Sequence, residues 1–85
     1  MMKMRLKRGI LIVLLTWDGQ PMDENALVSG VQLNVRPFEP TVEDVLEALR
    51  DVEAGGFVVG ATDDFTRERT WSLTVSGIHQ ARKMR

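Results

Sequence analysis

Cysteine is absent from the 85 residues, which excludes disulfides and thiolate metal sites and leaves the redox compartment unreported. Histidine occurs once, as His79 in the C-terminal tail, with no metal-ligand partner close in sequence. No metal centre is therefore expected, and an ordinary surface or packing role is assigned to it. Long apolar runs are missing too. The longest, ILIVLL from Ile10 to Leu15, falls far short of the roughly 20 residues a bilayer-spanning helix needs. It lies behind basic residues as the apolar part of a signal peptide would, but no small-residue cleavage site follows. GGFVVG (Gly55 to Gly60) follows a helical pattern rather than a strand, so it lacks the context of a phosphate-binding loop. Asp63-Asp64 reads as a turn former, not an acid–base pair. These gaps lead to the expectation of a non-enzymatic, cytoplasmic protein with no cofactor and no membrane partner.

What is present supports a folded core: 44% of the residues are apolar, ordinary for a globular protein. No repeat, low-complexity stretch or dividing linker occurs, so one domain over residues 1–85 is expected. The net charge of −1 conceals a marked asymmetry. Residues 1–22 carry Lys3, Arg5, Lys7 and Arg8 against Asp18. Residues 23–64 carry ten carboxylates against Arg36 and Arg50. Residues 65–85 carry Arg67, Arg69, Arg82, Lys83 and Arg85 against Glu68. Basic ends flank an acidic middle, which shapes the surface field without dictating the fold.

Leu6, Ile10, Val13, Leu14 and Trp17 recur at helical spacing and predict a first helix over about 4–17. The run is rich in β-branched residues, so a strand competes; the length and the basic lead-in MKMRLKR favour helix. Ile12 and Leu15 fall off the stripe and Leu11 at its edge, so such a helix must bury a second face, against another element or another subunit. DGQP (Asp18 to Pro21) predicts a turn. Asp23 can cap a second helix over about 24–34, with Ala26, Leu27, Gly30, Val31 and Leu33 or Asn34 on its inner side. RPFEP (Arg36 to Pro40) breaks the chain. In TVEDVLEALRDVEAGG, Thr41 and Asp44 form a capping-box-like pair, Val42, Val45, Leu46, Leu49 and Val52 make an apolar stripe, and Gly55-Gly56 stops the helix, spanning about 41–54. FVVGAT and TWSLT, at about 57–62 and 70–74, predict two strands around a polar turn, DDFTRER. The tail from Val75 to Arg85 is weakly helical and basic, and both Trp17 and Trp71 are expected in the core.

The order helix, helix, helix, strand, turn, strand resembles the winged helix-turn-helix fold, a three-helix bundle plus a two-stranded wing. VLEALRDVEAGGFVVGATDDFTRERTWSLTVSGIHQA is similar to the second half of many bacterial winged-helix regulators of the broad PadR-like, MarR-like and ArsR-like class. The shared features are Leu46 and Leu49, then Gly56 with Phe57 and Val58, then WSLTVSG from Trp71 to Gly77. Residues 41–80 carry the resemblance, which extends to the first forty by element order. A lone domain of this kind also suits a phage or prophage setting.

The resemblance implies a transcriptional regulator that binds double-stranded DNA as a homodimer, its third helix in the major groove and its wing on the backbone or minor groove. Transferred by position, the DNA-binding candidates are Arg36 in the turn, Thr41 and Arg50 on the third helix, and Thr66, Arg67 and Arg69 on the wing. The basic ends would add phosphate contacts. One departure stands out: the third helix also presents Glu43, Glu47 and Asp51, and carboxylates facing phosphates repel them. The alternative is a winged helix used for protein–protein interaction, with Glu43, Glu47 and Asp51 docking on a basic partner.

Overall fold

The computed structural model describes residues 2–18 and 20–84. The elements among them run α1 (Met2–Thr16), β1 (Met22–Asp23), α2 (Glu24–Asn34), α3 (Val42–Ala54), β2 (Val58–Thr62), β3 (Arg69–Leu73) and α4 (Val75–Met84). Gly19 of the expected DGQP turn and Arg85 of the basic tail lie outside the described residues.

Apolar periodicity accounts for the helical layer. Leu6, Ile10 and Leu14 are buried on α1 together with Leu11, so this helix does bury a second stripe. It packs against α2, α3 and α4, which answers the question of what covers a helix with a second apolar face. Leu27, Val28 and Val31 bury from α2, and Val45, Ala48, Leu49 and Val52 from α3. Each such valine, leucine or isoleucine contributes about 1.5–3 kcal/mol when removed from water. Three expectations need correction. Val42 opens α3 too far from its core side and is 52% exposed, its place taken by Ala48. Ala26, Leu33 and Asn34 of α2 are all exposed, Leu33 to 60%, with Val28 buried instead. Trp17, one residue past the end of α1, is 53% exposed rather than core.

Helix ends follow their local chemistry. The Asp23 carboxylate accepts from the Ala26 N–H at 3.2 Å. Thr41 Oγ1 accepts from the Asp44 N–H at 3.1 Å while Asp44 Oδ2 accepts from the Thr41 N–H at 3.0 Å, a complete capping box. At the other end of α3, Gly56 adopts φ +80°, a left-handed turn that glycine enters without steric cost. Its N–H reaches the Glu53 carbonyl and the Phe57 N–H the Val52 carbonyl, both at 3.0 Å, closing a Schellman motif.

The sheet is three-stranded and antiparallel, ordered β1-β3-β2. The two long strands were expected; β1 was not, because two residues (Met22 opposite Trp71, Asp23 opposite Thr70) carry no periodic signal. Trp71 anchors the sheet to the helices. It is 3% exposed, faces Gly60 on β2, and its Nε1–H donates to Glu24 Oε1 at the start of α2, 3.1 Å away. The tail is a full helix, α4, started by Thr74: its Oγ1 accepts the Gly77 N–H at 3.0 Å and its hydroxyl donates to the Gly56 carbonyl at 2.6 Å. The architecture is a winged helix-turn-helix, with β1 and α4 added to the expected bundle and hairpin.

Candidate nucleic-acid interface

The surface of α3 opposite its core stripe carries Glu43, Glu47, Arg50 and Ala54, and all four are exposed. The acidity of this helix is partly answered from within the chain. Lys3 on α1 places its Nζ 2.8 Å from Asp51 Oδ2 and 3.3 Å from Glu47 Oε1. The hydrogen bond to Asp51, then that to Glu47, raise the Lys3 pKa above its ordinary value; the bond from Lys3 lowers Asp51, with Lys7 adding a smaller attraction. Asp44 is engaged in the capping box, and Glu53 lines a cleft with Glu24, Leu46, Leu49, Arg50, Arg69 and Trp71 between α3 and the wing. Asp51 therefore belongs to the contact with α1, and Glu43 alone among these carboxylates faces outward with no partner among the described residues.

The basic N-terminal end is largely engaged. Lys3 is paired with α3, Arg5 lies over the Phe38 ring at 4.6 Å, and Arg8 donates to the Met84 carbonyl at 3.1 Å. Charges that alternate with apolar residues along the start of α1 thus tie that helix to α3, to the α2–α3 turn and to the end of α4. Arg82 and Lys83 stand in the last turn of α4, where cations favour the negative end of the helix.

The wing tip is built around Asp63. Its Oδ1 accepts the Phe65 and Thr66 N–H groups at 2.8 and 2.9 Å, which lowers its pKa below the ordinary carboxylate value, Thr66 contributing most. Its carbonyl accepts the Arg67 N–H at 2.8 Å, its own N–H donates to the Glu68 carbonyl at 2.9 Å, and Thr66 Oγ1 accepts the Glu68 N–H at 3.3 Å. The loop thereby satisfies its own backbone and holds Arg67 at φ 64°, a left-handed conformation unfavourable by about 1–2 kcal/mol for a residue with a Cβ.

The proposed contact residues consequently divide. Arg67 is exposed at the tip with no ion-pair or hydrogen-bond partner among the described residues for its side chain. Arg69 sits on β3 instead, its guanidinium 4.8 Å from the Trp71 ring centre, facing the cleft beside Arg50. Arg36 is exposed in the α2–α3 turn, beside Phe38 and Glu39. Thr41 and Thr66 both spend an oxygen lone pair on local backbone bonds. Phe65 was missed by residue type: it is 95% exposed at the wing tip, and the signal for it was an aromatic inside an otherwise polar turn.

Among the described residues, no group of three or more histidine or carboxylate side chains could hold a metal ion, and no helix is long and apolar enough to cross a membrane. No family model and no curated protein matches the chain. Among solved structures it is similar to a MepR mutant from a multidrug-resistant S. aureus clinical isolate, with TM-score 0.74 and 22% identity over 93% of this chain. The match spans 52% of the MepR chain, so this chain corresponds to about half of it. Likeness at that identity establishes the winged-helix fold.

Proposed function

We propose that this protein is a DNA-binding transcriptional regulator of the bacterial or phage winged-helix type, contacting duplex DNA through the outer side of α3 and the wing. The observation that carries the reading is the pairing of this architecture with a preorganised wing tip that presents Arg67, unpaired among the described residues, to solvent. The internal pairing of Asp51 and Glu47 with Lys3 supports it, since it offsets part of the charge that opposes approach to phosphates. Arg36 in the α2–α3 turn and Arg50 on α3 are further exposed cations. A homodimer would set two wings about 34 Å apart, one turn of DNA. The exposed apolar side chains left at the end of α1 and on α2, Trp17 and Leu33, are candidates for its interface.

Fluorescence anisotropy on a mixed-sequence duplex at several salt concentrations tests the reading. Arg67→Ala should weaken binding on any sequence and lower the salt slope by about one. No binding by the wild-type chain at low salt would refute it. The exposed Glu43 and Glu47 favour one competing reading, a module that docks on a basic protein partner. Glu43→Lys separates the two: it tightens DNA binding several-fold if α3 faces phosphates, and abolishes capture of a basic partner otherwise.

A further inference from the structure

The wing tip is acidic where a phosphate-binding loop would be cationic. Asp63, Asp64 and Glu68 outnumber Arg67 in the turn, and Arg69 is turned onto Trp71. Phosphate attraction alone gives this tip little affinity. What it offers instead is Phe65, 95% exposed and flanked by backbone bonds that run within the loop: its own N–H and the next are held by Asp63 Oδ1 at 2.8 and 2.9 Å. The backbone that carries the exposed ring is therefore held by the loop's own bonds, with Arg67 in a left-handed conformation two residues on.

We infer that Phe65 is an apolar wedge that enters the minor groove of bound DNA and partly unstacks one base step, with Arg67 beside it. This rests on the DNA-binding reading above and specifies how the wing engages. Side chains of this kind gain by leaving water and by contact with the faces of bases, and the unstacking they cause bends the duplex. Flexible pyrimidine–purine steps yield most easily to such insertion. Because phenylalanine carries no charge, its contribution is independent of salt, which separates it from every arginine on the surface.

The test uses a mixed-sequence duplex rich in TA and CA steps, end-labelled for energy transfer, with affinity and bend read across a salt series. Phe65→Ala should weaken binding about tenfold, leave the salt slope unchanged and reduce the bend; Phe65→Leu should restore part of both. The ring touches nothing in the fold, so stability should not change, and a melting curve of each variant checks that. Wild type and Phe65→Ala binding with equal affinity and equal bend would overturn the wedge and leave the DNA reading standing. Absence of wild-type binding at low salt would overturn both.

Discussion

Gly77 lies in the first turn of α4 at the point where that helix meets the start of the wing. A Cβ placed there would overlap the Phe57 carbonyl oxygen, and would also sit 3.0 Å from both the Phe57 carbonyl carbon and Leu73 Cδ2. The carbonyl cannot swing aside freely, since it accepts the Thr74 N–H at 3.0 Å, and Thr74 is itself bonded to Gly56 at 2.6 Å. Gly77→Ala sets two effects against each other. Alanine is the better helix former by about 1 kcal/mol. Overpacking against fixed backbone is unfavourable by about 1–3 kcal/mol, and backing the helix away sacrifices the Gly77–Thr74 cap, worth about 1 kcal/mol more. Sterics should win by about 2 kcal/mol. That corresponds to a melting temperature lower by about 8–16 °C in a domain of this size, or a urea midpoint lower by about 1 M. Circular dichroism melts of wild type and variant measure it, with Ser76→Ala, exposed one residue earlier, as the neutral control. An unchanged or raised melting temperature for Gly77→Ala would show that α4 does not dock on the Phe57 backbone.

Acid should act on the wing through Asp63. Its folded pKa lies below the unfolded value, so the stabilisation is present above that value and is lost as pH falls through the folded one. Asp63→Asn should therefore lower the urea midpoint at pH 7 and make little difference near pH 2; an equal difference at both would refute a role for the charge. The Lys3–Asp51 pair has the complementary window, since the raised lysine stabilises below its unfolded value of about 10.5 and loses this as pH rises through the folded one. The two tryptophans offer an optical check. Trp17→Phe should leave a blue-shifted emission from buried Trp71 that iodide quenches poorly, and a red-shifted, readily quenched spectrum would contradict the burial of Trp71.

Caps and stops were legible in the sequence because their chemistry is local. Thr41 with Asp44, Asp23 before α2, and Gly55-Gly56 after α3 act on backbone within four residues, and all take the expected places. The resemblance in WSLTVSG also acquires a cause. Trp71 fills the core, Thr74 caps α4 and ties it to Gly56, and Gly77 makes room for the Phe57 carbonyl. That stretch specifies how the wing is welded to the last helix, so it reports fold and says little about what the wing touches.

The surface was less legible. Lys3 and Asp51 are 48 positions apart in the chain, and nothing in either neighbourhood announces the pair. The same holds for Arg5 over Phe38, for Arg8 at the end of α4, and for Arg69 turned onto Trp71 while Arg67 projects at the tip. Periodicity, capping and turn chemistry depend on neighbours in sequence, so the sequence alone determined the helices, the hairpin and their order. Which charges cancel and which face solvent depends on where helices and strands come together. Only tertiary packing could decide that α1 neutralises part of α3, and that an aromatic residue is held out in water at the end of the wing.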